Sequence, residues 1–321
     1  MKRIAVVCGG YSGESVVSMR SAAMVMNNID RSKYEPVKVV VLHERWFAEA
    51  DGKELDVDKN DFSFTLNRKK ILFDGVFMII HGTPGEDGLM QGYFEMLNIP
   101  HTTGGVFNMS LTFNKKATTR TLASLGFTVA KSTVLKKFEP YSSSFIGQIV
   151  GLPCFVKPNC GGSSIGTSRV NKVEELHLAV DKAFREDEEV IIEEFISGTE
   201  VTCGVIVISG KPTALPITEI VSKKEFFDFE AKYEGASEEI TPARISEQLT
   251  SRVQQIAEDI YNKLDCRGMI RIDFLLPGSE PYVVEVNTVP GFSEASIIPQ
   301  QAEVYGMSKK ELVSAVIESC F

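Results

Sequence analysis

The chain has 321 residues, 43% of them hydrophobic and 24% charged, with a formal net charge of −9 and a pI near 5.2. That length suits roughly two or three globular domains, and an acidic balance without a polybasic run excludes a general nucleic-acid or anionic-membrane binder. No segment approaches the roughly 20 apolar residues of a membrane span, and six scattered cysteines with four histidines form no disulfide or zinc spacing, so a reduced, cytoplasmic protein is expected.

Residues 1–104 alternate strand and helix. The apolar run after Met1-Lys2-Arg3 is too brief for a signal sequence, so Lys2–Cys8 reads as a first strand ending at Gly9-Gly10. After Gly13 the spacing is helical, with Val16, Met19, Ala23 and Met26 on one face. Glu35–Leu42 and Asp74–Ile80 are further β-branched runs, which predicts a small parallel sheet. Ligands bind beyond the carboxyl ends of such strands, where Gly9-Gly10 and His81-Gly82 lie. A second unit, 105–193, carries a helix over Leu111–Leu125 closed by Gly126, a strand Cys154–Lys157, a glycine–serine loop Pro158–Gly166, a helix Val173–Arg185 and a strand Val190–Glu194. The third unit, 194–321, is antiparallel in character. It holds strands Val201–Ser209 and Ala214–Val221, an amphipathic helix Ser246–Leu264, a hairpin of Met269–Leu276 and Tyr282–Asn287, and a final helix Lys309–Ser319. Between them Ser222–Ile240 is polar, without a clean period, and is expected to be a functional loop. The fold class is therefore α/β, with α+β character in the C-terminal part.

The hairpin carries the most specific chemistry. Closing the turn Pro277–Pro281 symmetrically sets Asp273 opposite Glu285 and Arg271 opposite Asn287 on one face, with Ile272, Phe274, Val284 and Val286 on the other. Two carboxylates facing each other across a ladder repel, and a cation between them relieves this. Hard oxygen donors beside an amide oxygen suit Mg²⁺. Lys157 ends a strand and enters Gly161-Gly162-Ser163-Ser164, whose amides and hydroxyls suit phosphate oxygens. Such a loop alone is more often a flexible turn; beside the hairpin it reads as functional. Lys115 lies on a helix, where a lone lysine is usually solvated. Glu193-Glu194-Phe195-Ile196 with Glu200 is either a strand end with surface acids or an adenine and ribose site. Glu14 either complements a helix dipole or receives a substrate ammonium. His81 is expected near the site, with no role fixed by spacing.

These pieces, in this order, resemble the D-alanine–D-alanine ligase family of the ATP-grasp superfamily over nearly the whole chain. The markers are Gly9-Gly10-x-Ser12-x-Glu14, His81-Gly82-x-x-Gly85-Glu86-Asp87-Gly88, Lys157-Pro158 with Gly162-Ser163-Ser164-x-Gly166, Glu230-Ala231-Lys232-Tyr233, Arg271-x-Asp273 and Glu285-x-Asn287-Thr288-x-Pro290-Gly291. The resemblance implies a three-domain ATP-grasp fold: an N-terminal parallel-sheet domain over 1–104, a central subdomain over 105–193, and a C-terminal subdomain over 194–321 with a mobile loop at 222–240. ATP would lie between the last two. Lys115 and Lys157 would contact its phosphates, with Ser163, Ser164 and Lys232 in the same site and Glu193, Glu194, Phe195, Ile196 and Glu200 near adenine and ribose. Asp273, Glu285 and Asn287 would hold two magnesium ions, with manganese as a substitute. Glu14 would receive the ammonium of a first D-alanine beside Ser163 and Tyr233, with His81 in the same substrate site. Arg271 and the Gly291 amide would face the oxyanion, and Ser296 would bind the carboxylate of the second D-alanine.

The implied reaction proceeds through D-alanyl phosphate to D-alanyl-D-alanine, ADP and phosphate, for peptidoglycan precursor synthesis. A cytoplasmic homodimer with D-alanine as its small-molecule substrate is implied as well, with no nucleic-acid or membrane partner. The alternatives are a D-alanine–D-lactate or D-alanine–D-serine ligase, and a non-catalytic ATP-binding regulator. Lys232-Tyr233 favours an amine as second substrate, and retention of Arg271, Asp273, Glu285 and Asn287 together argues against a regulator. Two departures stand out: Ser15 and Val16 follow Glu14 where the family usually has a basic and then an acidic residue, and Val289 replaces a small polar one.

Overall fold

The computed structural model describes residues 1–222 and 237–321. Strand β1 (Lys2–Gly9) sends Ile4, Val6 and Cys8 into one apolar cluster and Ala5 and Val7 into another. Burial on both faces is the mark of a central parallel strand. After helix α1 (Ser15–Asn28), β2 (Tyr34–Val41) pairs with β1 in parallel. A meander follows that was not legible beforehand: β3 (Trp46–Ala50), β4 (Lys53–Asp58), β5 (Ser63–Leu66) and β6 (Lys69–Ile71). It extends the sheet antiparallel from β2, while β7 (Gly75–Met78) closes the parallel core on the other side of β1. These strands are short and rich in Lys, Glu and Asp, which hides their period. Gly9 and Gly10, at φ +95° and +107°, turn the chain away from β1. A Cβ on Gly9 would sit 2.6 Å from the Val41 carbonyl oxygen, so only glycine fits.

Of the four apolar residues read onto one face of α1, Met19 and Met26 pack against the core and the other two do not. Ser18, Ser21, Ala22, Met24 and Val25 face inward, while Val16 and Ala23 are exposed. The serines are buried because their hydroxyls are satisfied: Ser18 Oγ accepts from the Gly9 amide at 3.0 Å and donates to the Ile79 carbonyl at 2.7 Å.

After α2 (Leu89–Met96), the helix expected over Leu111–Leu125 is two helices, α3 (Val106–Phe113) and α4 (Lys115–Ser124). Asn114 breaks them at φ −93°, ψ 102°, and its side chain accepts from the Ala117 amide as the cap of α4. Leu111, Leu122, Leu125, Phe127 and Val129 join the core of the third sheet. The apolar side chains of residues 111–129 therefore pack with the C-terminal unit, while the amides of Lys115 and Lys116 are bonded to Asn159 of the central one. The central sheet comprises β8 (Ser132–Lys136), β9 (Cys154–Pro158), β10 (Ser168–Val170) and β11 (Glu189–Glu194), all antiparallel, in the order β10-β9-β11-β8. Helices α5 (Ser143–Val150) and α6 (Leu176–Ala183) cover it. The latter is shorter than the expected Val173–Arg185, because Val173–Glu175 winds as a 3-10 turn.

The third sheet is built on β12 (Thr199–Ile208). The single strand expected over Ala214–Val221 is interrupted at Leu215-Pro216-Ile217, giving β13 (Lys211–Ala214) and β14 (Thr218–Ser222). Proline at 216 has no amide hydrogen to give to a ladder. The Ser222–Ile240 segment ends in β15 (Ser237–Ile240), paired with β14, so that part of the expected loop is strand. Residues 223–236, including Lys232 and Tyr233, lie outside the described residues. Helix α7 (Glu247–Lys263) packs Val253, Ile256, Ala257 and Ile260 under β12 and the hairpin β16 (Ile270–Leu276) and β17 (Tyr282–Asn287). The sheet order is β15-β14-β12-β16-β17, with β13 on β12. Helices α8 (Ile297–Tyr305) and α9 (Lys309–Glu318) end the chain. Leu312, Val313 and Val316 of α9 pack with Ile4 and Val6 of β1, which ties the last helix to the first sheet. No described helix is long and apolar enough to cross a membrane.

Candidate active site

The hairpin closes in the expected register up to its middle: Arg271 faces Asn287 and Asp273 faces Glu285. The register then shifts, and Phe274 faces Val283. Val284 is the extra residue of this bulge, 38% exposed, and Val283 takes its expected place in the core. The bulge leaves Asp273 and Glu285 on the face that lines the cavity described next, while the apolar face stays filled.

Two basic side chains meet the repulsion between these acids. Arg271 Nε and Nη2 each donate to Asp273 at 2.9 Å, a forked charge-assisted pair. Thr202 Oγ1, opposite Asp273 on β12, donates to it at 2.6 Å, and Asn287 Nδ2 donates at 3.1 Å. Glu285 lies 3.7 Å from Lys115 Nζ. Burial by itself would lower the pKa of Arg271, but Asp273, then Glu285 and Glu239, raise it above its ordinary value, so the guanidinium stays charged. Among the described residues no three His, Cys, Asp or Glu side chains form a metal cage. The donor set nonetheless fits magnesium, which takes one or two carboxylates and completes its shell with phosphate and water oxygens.

A cavity of about 490 Å³ opens between the central and third sheets, within the range of small-molecule sites. Phe155, Phe195, Ile196, Leu275 and Val283 are its apolar lining, and Lys115, Lys157, Asp273 and Glu285 line it with charge, Lys157 Nζ lying 5.7 Å from the centre of the Phe155 ring. Ser163, Ser164, Glu193, Glu194 and Glu200 line it too. Lys157 Nζ bonds Glu193 at 2.7 Å. Burial alone would lower the lysine's pKa, but Glu193, with Glu285 and Glu200 behind it, raises it, so the ammonium persists. Lys115 Nζ donates to the Gly161 carbonyl at 2.5 Å.

The glycine–serine loop turns sharply, with Ser163 and Ser164 at φ +54° and +57°. Such non-glycine positions cost about 1–3 kcal/mol each and are found where a site requires them. The turn carries Ser163 Oγ to Glu14 Oε1 at 2.5 Å, joining the central unit to the N-terminal one. A Cβ on Gly162 would come within 2.9 Å of the same carboxylate oxygen, which explains the glycine.

His81 is only 5% exposed and both ring nitrogens are used inside the protein. Nδ1 lies 2.8 Å from the Val289 carbonyl and Nε2 3.1 Å from Ser21 Oγ. Burial lowers its pKa, favouring the neutral ring. The histidine braces α1 against the segment after β17 and does not line the cavity. In that segment Ser296 Oγ accepts from the Ser293 amide at 2.9 Å, and a Cβ on Gly291 would lie 3.2 Å from it, so Gly291 and Ser296 stand together ahead of α8. Arg271, Asn287 and Glu14 also flank the cavity rather than line it.

Two participants escaped the sequence reading. Thr202 was within reach once β12 is paired with β16. Glu86 lies in the His81–Gly88 motif, where an acid framed by glycines was the available signal. Its Oε2 accepts from the Gly82 amide at 3.0 Å. Burial, with Glu14 and Glu285 adding repulsion, pushes its pKa from an ordinary 4.5 up to about 7. The folded protein thus keeps a proton that the unfolded chain releases between those values, so stability is highest below the window and falls as pH rises through it. In ligand-free protein, Tm is expected to drop between about pH 5 and about pH 7.5 more steeply for the native chain than for Glu86→Gln. Parallel Tm profiles would contradict this assignment.

Comparison with known proteins places this geometry. Residues 3–104 match the family described as D-ala D-ala ligase N-terminus, and residues 121–318 the one described as D-ala D-ala ligase C-terminus. The D-alanine–D-alanine ligase of Flavobacterium johnsoniae is 47% identical over 319 residues, covering 99% of both chains. Among solved structures, the VanG D-Ala:D-Ser ligase of Enterococcus faecalis superposes with a TM-score of 0.89 at 31% identity, covering 100% of this chain and 99% of that one. The D-alanine–D-alanine ligase of Bacillus anthracis complexed with ATP gives 0.81 at 29% identity, covering 100% and 97%. With both halves matched in order and relatives covered end to end, this chain belongs to the D-alanine–D-alanine ligase family.

Proposed function

We propose that this protein joins two D-alanines at the expense of ATP, releasing D-alanyl-D-alanine, ADP and phosphate. The observation that carries this reading is the forked Arg271–Asp273 pair, opposite Glu285 and Lys115, with Arg271 beside and the other three lining a nucleotide-sized cavity. Nucleotide binding alone has little need of that arginine. The apolar lining accepts a flat base ring, with Glu200 at the ribose, and Lys115 and Lys157 reach the phosphates. Held by Asp273, Glu285 and Asn287, two magnesium ions would neutralise phosphoryl oxygens during transfer.

Glu14, steadied by Ser163, receives the ammonium of the first D-alanine and aims its carboxylate at the γ-phosphate. A carboxylate oxygen forms a bond to phosphorus as the bond to ADP breaks. The free amine of the second D-alanine, its carboxylate held at Ser296, then attacks the acyl carbon; the C–N bond forms, the acyl C–O bond breaks, and the amine's proton leaves on the phosphate. Arg271 and the Gly291 amide face the oxyanion of that addition, where fixed donors contribute most. His81, enclosed as it is, acts by holding the segment before Gly291 in place. Lys232 and Tyr233 enter on family resemblance alone. So do a cytoplasmic homodimer and its place in peptidoglycan precursor synthesis; sedimentation at only the mass of one chain would rule out the dimer.

A second reading, with D-serine as second substrate, is favoured by the likeness to the Enterococcus faecalis ligase. A substrate panel separates the two. Purified protein with MgATP should release ADP in a D-alanine-dependent way and form D-alanyl-D-alanine. A mixed product formed preferentially with D-serine or D-lactate would move the assignment to those ligases, and ADP release indifferent to D-alanine would overturn the ligase reading.

A further inference from the structure

We propose that Asn159 is a positioning residue that locks the phosphate-site lysine Lys115 to the strand bearing Lys157. The inference rests on the nucleotide site described above. Helix α4 begins with Lys115 and Lys116 and has no acid in its first turn, so its dipole disfavours its own sequence. Its open amide donors are met from elsewhere. The Lys115 amide donates to the Asn159 carbonyl at 3.0 Å and the Lys116 amide to Asn159 Oδ1 at 2.9 Å, while Ala117 is capped by Asn114. A segment remote in sequence thus caps this helix twice.

Asn159 is itself immobilised. It is 1% exposed, its amide donates to the Glu189 carbonyl at 2.9 Å, and its Nδ2 donates to Glu189 Oε2 at 3.1 Å. Both side-chain termini are engaged, which fixes the amide orientation. Glu189 also takes Lys116 Nζ at 3.5 Å and Lys136 Nζ at 3.7 Å. Two consequences follow for the site. First, the start of α4 has no spare amide for an anion, in contrast to helix termini that bind phosphate directly; the ammonium of Lys115 must do that work. Second, Asn159 stands two residues beyond Lys157, so one buried residue, through its carbonyl to the Lys115 amide and its side chain to the Lys116 amide, ties together the two lysines that line the cavity.

The test measures MgADP affinity by calorimetry alongside steady-state kinetics. Asn159→Ala withdraws the acceptor from the Lys116 amide and the donor from Glu189. The expected result is a rise of about tenfold in both the MgADP Kd and the KM for ATP, the scale of one or two lost hydrogen bonds, with the KM for D-alanine unchanged. Asn159→Ser, which keeps a buried hydroxyl but cannot reach Lys116, should give the same rise if the alanine variant does not fold. The double variant N159D/E189Q exchanges donor and acceptor across the contact and should restore most of the affinity. Native affinity in Asn159→Ala or Asn159→Ser, or a KM for D-alanine that rises equally, would overturn the proposal. A native chain that binds no MgADP would instead overturn the nucleotide site on which it rests.

Discussion

Asp273→Asn is expected to lower kcat by about 10³-fold, the equivalent of roughly 4 kcal/mol of transition-state stabilisation. The substitution keeps shape and one acceptor for Thr202 Oγ1. What it removes is the charge, which pairs with the Arg271 fork and, on the proposed function, would supply one of two carboxylates to magnesium. The stability cost is smaller than for a fully buried pair. The Asp273 side chain is 17% exposed, and Glu285 and Glu239 still face the arginine. Breaking a buried pair costs about 3–5 kcal/mol, and here the lower end or less applies. The variant should therefore fold at 25 °C with a native circular dichroism spectrum and a modestly lower Tm. Parallel loss of helicity and activity would show that Asp273 acts through the fold.

Arg271→Lys should lower kcat by about 10²- to 10³-fold, the usual consequence of removing a donor aimed at an oxyanion. Lysine preserves the charge but not the planar fork, so it cannot hold both Asp273 oxygens and still present an N–H to a new oxygen. Arg271→Met should be worse on both counts, since it leaves Asp273 without its partner next to Glu285. The diagnostic is the split between parameters. A group that acts only as charge develops lowers kcat and kcat/KM together and leaves the KM for ATP nearly unchanged. A raised KM for ATP with native kcat would mean that Arg271 binds nucleotide.

The hairpin was legible because two runs of period two flank a tight proline–glycine turn, and symmetry then set Asp273 against Glu285. Val284 was misplaced because a bulge leaves no mark in an alternating pattern. The break at Asn114 was hidden for a related reason: apolar spacing runs on through 111–125, and the residue that stops the helix also caps the next one. On α1, the apolar spacing gave no sign that Ser18 and Ser21 are buried. Their burial depends on partners 61 and 60 residues away in the chain, Ile79 and His81. His81 illustrates the same limit from the other side: its strand-end position was readable, but not that Val289 and Ser21 would enclose it. Asn159 and Glu86 owe their roles wholly to contacts made by folding. The apolar packing of residues 111–129 onto the third sheet is tertiary as well, set by where Leu122, Phe127 and Val129 find partners.

The central claim, carboxylate activation through an acyl phosphate, is tested most directly by following oxygen. With D-alanine labelled with ¹⁸O in its carboxylate, attack on the γ-phosphate and later expulsion of phosphate carry one labelled oxygen into the inorganic phosphate for each dipeptide formed. Mass spectrometry of the phosphate should show that single transfer, matched to the dipeptide produced. Dipeptide formed with unlabelled phosphate would contradict the account.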